Sequence, residues 1–295
     1  MKIGWIGTGV MGRPMAGHLQ DAGHELYVYN RTKAKADSLV EDGATWCGHP
    51  AEVASRAEVL LTIVGMPDDV EEVYFGSNGV FGADDPACRI VVDMTTSQPS
   101  LAERIAEHAA EKGIQALDAP VSGGDVGAEE GSLAIMTGGS RGAFDEVKPL
   151  LDLMGDTVEY MGEAGSGQHT KMCNQILVAG NMIGVCESLL YAEKQGLDES
   201  DVIDIIGSGA ARSFLINDLG PRIVEGDYDP GFYIEHFVKD MGIALRECEA
   251  CGLSLPGLAL VKQLYQACVA QDRERLGTQG LILALRRLNN MPEDD

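Results

Sequence analysis

The chain has 295 residues, 45% apolar and 23% charged, ordinary proportions for a globular protein and enough length for two domains. Its 22 Lys and Arg stand against 46 Asp and Glu, a formal charge of −24, which argues against the basic footprint that nucleic-acid phosphates require. Seven scattered cysteines argue against a disulfide framework and for a reducing, cytoplasmic setting. No uninterrupted apolar run approaches ~20 residues, so no membrane span is expected.

The first predicted strand is Ile3–Ile6, followed by Gly7-Thr8-Gly9-Val10-Met11-Gly12 and an amphipathic stretch over Val10–Ala22. Further apolar runs lie at Glu25–Tyr29, Val59–Val64, Ile90–Met94, Ile114–Leu117, Leu133–Met136 and Val158–Met161. Helical patterns separate several of them, as at Ser100–Lys112 and Ala143–Met154. This alternation predicts a parallel sheet with helices on both faces. After about residue 162 the strand pattern stops, and the glycine-rich stretch Gly162–Gly167 marks the change. Gln168–Gln195 reads as one long helix, followed by Glu199–Ser208, Phe232–Cys251, Leu258–Gln271 and Thr278–Asn289. The expected fold is an α/β Rossmann N-terminal domain over residues 1–162 and an all-α C-terminal domain over 163–295, with a long interdomain helix. Ile176–Leu190 is apolar on several faces and reads as a buried helix. The tail from Met291 is expected to fray.

Gly7, Gly9 and Gly12 form G-x-G-x-x-G between a strand and a helix, the context that a dinucleotide-binding turn requires. Gly7 permits the tight turn, Gly9 lets the backbone approach a pyrophosphate, and Gly12 lets helix and strand pack closely. Val10 and Met11 belong to the same turn, whose helix N-terminus supplies unpaired N–H groups to phosphate. An NAD site usually carries an acid at the end of the second strand, on the ribose 2′-hydroxyl. Here that strand ends Asn30-Arg31-Thr32. Asn30 does not repel a 2′-phosphate, Arg31 can pair with it and Thr32 can donate to it, so NADP is the expected cofactor, with NAD as the alternative. Met66-Pro67 and Thr95 follow two later strands and are candidates for the nicotinamide half, because ligands bind outside the carboxyl ends of parallel strands.

Three further segments suggest chemistry. Ser122-Gly123-Gly124 can offer backbone N–H groups and a hydroxyl to an anion, or be an ordinary turn. Lys171 and Asn174 share one face at the start of the long helix, where an apolar setting makes the ammonium costly. Taken alone, the segment favours a Lys snorkelling at a helix start. Lys239-Asp240 opens another amphipathic helix and could be a surface pair. Cys248 and Cys251, one turn apart without a second pair, read as core thiols, and no metal cluster is visible.

With these motifs in this order, the chain resembles the β-hydroxyacid dehydrogenase family, whose members include 3-hydroxyisobutyrate dehydrogenase and tartronate semialdehyde reductase. It is similar, more distantly, to 6-phosphogluconate dehydrogenase. The resemblance runs from Met1 to about Asn290 and rests on Gly4–Gly12, Asp118–Gly124 with Gly131 and Leu133, Gly167–Asn174, and Lys239-Asp240. It implies that Lys171 exchanges the proton on the substrate oxygen and that Ser122, Gly123 and Gly124 hold a substrate carboxylate. It also implies that Asn174 orients the substrate, that Thr95 and Lys239 lie at the nicotinamide side, and that Met66 and Pro67 line the cofactor. Many members carry Asn-Asn where this chain has Asn174-Gln175, although several semialdehyde reductases share the latter pair.

The resulting expectation is an NADP-preferring dehydrogenase of a small β-hydroxy acid, 3-hydroxyisobutyrate first. Tartronate semialdehyde, succinic semialdehyde or glyoxylate reduction is the alternative. A catalytically silent dinucleotide-binding scaffold is disfavoured because Lys171 is present. The apolar long helix and Leu281–Leu285 suggest a homodimer or homotetramer.

Overall fold

The structure is a computed structural model and describes residues 1–292. Contacts divide it into two compact units, the first Met1–Lys171 and the second from Met172 onward. The first unit holds nine strands: β1 (Lys2–Ile6), β2 (Glu25–Tyr29), β3 (Thr45–Trp46), β4 (Val59–Thr62), β5 (Ile90–Asp93), β6 (Gln115–Asp118), β7 (Val121–Ser122), β8 (Ala134–Gly139) and β9 (Thr157–Gly162). They form one sheet in the order β3-β2-β1-β4-β5-β6-β8-β7, with β9 also paired to β8. The order reverses beside β1, which pairs with both β2 and β4, and this is the doubly wound arrangement.

Successive strand residues face opposite sides of the sheet, so a strand covered by helices on both faces must be apolar throughout. β4 and β5 meet that condition over Val59–Leu61 and Ile90–Val92, up to their last residues Thr62 and Asp93. Leu61 and Val92 enter one core with Met15 and Leu19 of helix Gly12–Asp21 and Phe144 and Val147 of helix Arg141–Leu151. Their neighbours Leu60 and Val91 enter the opposite core with Val73 and Tyr74 of helix Pro67–Phe75 and Leu101 and Ile105 of helix Pro99–Glu111.

The sheet is not wholly parallel, contrary to the sequence expectation. β8 runs antiparallel to β6 and β7, while β9 is parallel to it. After β6 the chain runs on through Pro120, whose carbonyl accepts from the Met136 N–H, into β7, and turns at Gly123 and Gly124, whose φ values are +139° and +66°. It then returns through the seven-residue helix Gly124–Glu130 instead of crossing over a face of the sheet. Apolar periodicity carries no strand direction, so this reversal was not readable from it.

The second unit is helical, with helices Glu199–Ser208, Gly220–Val224, Ile234–Cys251, Pro256–Val269 and Leu281–Leu288. They pack Ile203, Ile223, Phe237, Tyr265 and Ile282 into one core. Helix Ser166–Gln195 links the two units and adds Met172, Met182, Cys186 and Leu189 to that core. It is not buried all round, as its composition had suggested. His169, Cys173, Leu177, Gly180, Gly184, Glu187 and Tyr191 are exposed at three- and four-residue spacing, which is one helix face. The helix has the length and mean hydropathy, 1.3 over 18 residues, of a membrane-crossing helix, and 44% of that stretch is buried inside the protein. The core helix of a folded protein meets the same criterion. At the chain end Met291 is buried and its N–H donates to the Arg286 carbonyl, so fraying does not begin there. Glu293, Asp294 and Asp295 lie outside the described residues.

Candidate active site

The turn after β1 is built by the close approaches its glycines permit. At Gly7, with φ +97°, a Cβ would fall 1.9 Å from the Ile63 carbonyl oxygen. At Gly12 it would fall 1.9 Å from the Gly7 carbonyl oxygen, so the helix can start directly against the strand end. The Trp5 indole N–H donates to that same Gly7 carbonyl at 2.8 Å. Gly9 differs, because a Cβ there would meet nothing within 4 Å. Thr8 Oγ1 is buried with no hydrogen-bond partner within the protein. Helix Gly12–Asp21 has no side-chain cap at its N-terminus and no acid in its first turn. Uncapped helix N–H groups, an unoccupied hydroxyl and open space above Gly9 fit the pyrophosphate of a dinucleotide.

Asn30 braces this turn. Its Oδ1 accepts from the Thr8 N–H at 3.1 Å and its Nδ2 donates to the Thr32 carbonyl at 2.8 Å. Arg31 is exposed, and its Nη1 donates to Asp69 Oδ1 at 2.9 Å. The other Asp69 oxygen accepts from the Met66 N–H at 3.1 Å, at the start of helix Pro67–Phe75. Asn30, Arg31, Thr32, Met66 and Pro67 thus meet at one edge of the glycine turn, linked through Asp69, which sequence reasoning missed. An acid at the third position of a helix that opens with Pro was the available signal.

Thr95 is buried and joins two strand ends. Its Oγ1 accepts from the Val64 N–H at 3.0 Å, after β4, and its own N–H donates to Asp93 Oδ1 at 3.1 Å, at the end of β5. Lys171 is 7% exposed, and the turn of helix before it is anchored to the same strand ends. Asp118, the last residue of β6, accepts from the Gly165 N–H at Oδ1 and from the Gln168 N–H at Oδ2, both at 2.8 Å. A carboxylate from a distant strand therefore caps the long helix. Burial pushes the Asp118 carboxyl above its ordinary range, and the amides of Gly165 and Gln168 pull it partly back. Gln168 is fully buried, accepts from the Ser97 N–H at 2.9 Å and donates to the Thr95 carbonyl at 2.7 Å. Neither Asp118 nor Gln168 had been given a role from sequence, although a Gln at the glycine-rich start of an apolar helix is a buried polar group in need of partners. Ser122, Gly123 and Gly124 follow at the turn out of β7.

In the second unit Asn174 Nδ2 donates to Gln175 Oε1 at 2.7 Å, and Gln175 Nε2 donates to Asp240 Oδ2 at 2.7 Å. Asp240 Oδ1 lies 3.0 Å from Lys239 Nζ, with the two side chains 1% and 12% exposed. Lys239-Asp240 is thus a buried pair, not a surface one. The extra methylene of Gln175 lets it span from one helix to the next, which explains a Gln beside Asn174. Cys251 Sγ lies 3.5 Å from the Cys248 carbonyl oxygen, and both thiols are free. Among the described residues no three of His, Cys, Asp and Glu gather in a metal-holding group.

A doubly wound sheet with a glycine turn at its switch point, joined to a helical unit by a long helix, defines the class as dinucleotide-binding oxidoreductases. Residues 2–162 match the NAD binding domain of 6-phosphogluconate dehydrogenase, and residues 165–285 match the NAD-binding domain of NADP-dependent 3-hydroxyisobutyrate dehydrogenase. The chain is 53% identical to the oxidoreductase YkwC of Bacillus subtilis (strain 168), over 95% of this chain and 96% of that one. It is 38% identical to the 2-hydroxy-3-oxopropionate reductase of Escherichia coli (strain K12), over 98% and 99%. The solved structure of Mycobacterium tuberculosis 3-hydroxyisobutyrate dehydrogenase with L-serine superposes with a TM-score of 0.86 at 28% identity, covering 97% of this chain and 99% of that one. The chain belongs to the 3-hydroxyisobutyrate dehydrogenase-like family of β-hydroxyacid dehydrogenases.

Proposed function

We propose that the protein interconverts a small β-hydroxy acid and its semialdehyde or keto form with NADP(H), that 3-hydroxyisobutyrate is the leading substrate, and that Lys171 is the general acid/base. The observation that carries this reading is the placement of Lys171. It is a buried amine on a helix turn fixed by Asp118 and Gln168 to the carboxyl ends of β5 and β6, the end of an open α/β sheet where ligands bind.

The bound nicotinamide would supply the hydride acceptor or donor. Ser122, Gly123 and Gly124 would hold the substrate carboxylate through hydroxyl and backbone N–H donors. Lys171 Nζ, as the neutral amine, takes the hydroxyl proton as the carbinol hydrogen leaves with its electron pair. In the reductive direction the ammonium returns that proton to the forming alkoxide. Asn174 and Lys239 enter the proposal from the family resemblance, as substrate-orienting and nicotinamide-side residues. Arg31 and Thr32 would serve a 2′-phosphate. A homodimer or homotetramer in the cytoplasm completes the proposal.

Acid–base help of this kind contributes ~10²–10⁴-fold, so Lys171→Ala should lower kcat at least ~10²-fold with NADP(H) affinity nearly unchanged. Lys171→Arg should not restore it, because a guanidinium stays protonated in proteins and does not take up the proton. A kinetic screen of 3-hydroxyisobutyrate, L-serine, tartronate semialdehyde, succinic semialdehyde and glyoxylate with both cofactors tests the substrate. Turnover of none of these would end the proposal. The second reading, a semialdehyde or glyoxylate reductase, is favoured by Asn174-Gln175 and by the reductase relative, and it predicts that the semialdehydes have the highest kcat/KM.

A further inference from the structure

We propose that Gln168 is a positioning residue of this reaction, tying the helix turn that carries Lys171 to the Thr95–Ser97 loop and so setting the amine against the side of the site where hydride is exchanged. The proposal rests on Lys171 as the acid/base.

Gln168 is 0% exposed and uses both ends of its amide. Its Oε1 accepts from the Ser97 N–H at 2.9 Å, and its Nε2 donates to the Thr95 carbonyl at 2.7 Å. Its backbone N–H donates to Asp118 Oδ2 at 2.8 Å. Thr95 is held in turn by the Val64 N–H and by Asp93. Through its side chain and its backbone N–H, one residue therefore connects the Thr95–Ser97 loop after β5 and the end of β6 to the start of one helix.

Docking that helix does not require the amide. Asp118 already caps it, and Gly167 brings its backbone down onto β8 and β6, where a Cβ would meet the Met136 carbonyl oxygen at 2.4 Å and the Asp118 carbonyl oxygen at 2.6 Å. The two bonds that Gln168 adds go to the loop and fix its distance from the helix. Lys171 lies three residues on, one turn along the same face as Gln168, so a change of tilt or spacing at Gln168 is passed to Nζ. A misplacement of about 1 Å in such an arrangement costs on the order of 10²-fold in rate.

The test uses the full-length protein carrying Gln168→Met, Gln168→Glu or Lys171→Met, with NADP(H) and the acid of highest kcat/KM in the screen. For Gln168→Met, kcat should fall about tenfold or more, while KM and the cofactor Kd from fluorescence quenching stay within about threefold. In the free protein, amide hydrogen exchange should quicken in segments 95–98 and 165–172 and stay unchanged elsewhere. Gln168→Glu can still accept from Ser97, but it donates to the Thr95 carbonyl only when protonated. Its kcat relative to wild type should therefore recover as pH falls. The inference is overturned if kcat of both Gln168 variants stays within about twofold of wild type, or if kcat falls only in step with the folded fraction. If Lys171→Met also keeps its kcat, the acid/base reading fails. If Lys171→Met loses kcat while Gln168→Met keeps it, that reading stands and this inference alone fails.

Discussion

Arg31 illustrates what one residue can reveal before and after folding. As a letter in the sequence it marks a strand end that lacks the usual acid. In the structure it is already paired with Asp69, so a 2′-phosphate would meet a guanidinium held from one side. Its remaining N–H donors suit a phosphate, since charge-assisted hydrogen bonds contribute ~1.5–3 kcal/mol each. Arg31→Ala should therefore weaken NADPH binding about tenfold or more and leave NADH within about twofold. Titration calorimetry with both nucleotides checks this, and equal losses would remove the 2′-phosphate role. Lys171 and the glycines could be picked out because their residue types are unusual in their settings. The roles of Asp118 and Gln168 could not, because what distinguishes them is the distant amide or carbonyl each one meets.

At the scale of elements, three glycines that look alike in sequence do different things. Gly12 and Gly167 allow backbone contacts that a side chain would prevent, whereas Gly9 faces open space. Gly167→Ala should destabilise the protein by about 1–3 kcal/mol through overpacking, read as a fall in Tm. Gly9→Ala should leave Tm within about 1 °C, because nothing is displaced, while weakening cofactor binding. A stability loss for Gly9→Ala equal to that of Gly167→Ala would show that the open space is not real. The long strands and helices were legible because their periodicity runs over several turns or residue pairs. β3 and β7, two residues each, are too short to carry a period. The direction of β8 follows from the turn at Gly123-Gly124, which hydropathy does not encode.

For the whole molecule, the exposed face of helix Ser166–Gln195 includes Leu177 and Tyr191, 65% and 66% exposed, with Gly180 and Gly184 between them. Such a face suits close packing against a second copy. Sedimentation should show a homodimer or larger at micromolar concentration, and Leu177→Glu should shift it toward the 31.4 kDa monomer. A wild-type monomer would refute this. Stability against pH should carry the mark of His236, whose Nδ1 is buried without a partner beside Phe232 and Tyr233. Burial, and then Lys239 and Arg275, lower its pKa against the opposing pull of Glu235 and Asp240. Below the ordinary value of 6.5 the unfolded chain takes up a proton that the folded one refuses. The contribution of neutral His236 is thus full above 6.5 and is lost as pH falls through the depressed folded value. Between about pH 7.5 and about pH 5 the urea midpoint of wild type should fall more than that of His236→Phe. Parallel slopes would show that His236 does not titrate in this way.

The sequence by itself determined the two-part architecture, the glycine turn and the order of the motifs, because each depends on neighbours within about a dozen positions. Hydrophobic period, turn residues and helix starts are local quantities. Only the tertiary structure decided which strand ends meet, and with them the anchoring of the Lys171 helix by Asp118 and Gln168 and the bridge from Gln175 to Asp240. Those bonds join residues 50, 73 and 65 positions apart. A buried polar group needs a partner but does not name it, and the partner is chosen only when the sheet order brings distant backbone groups within reach.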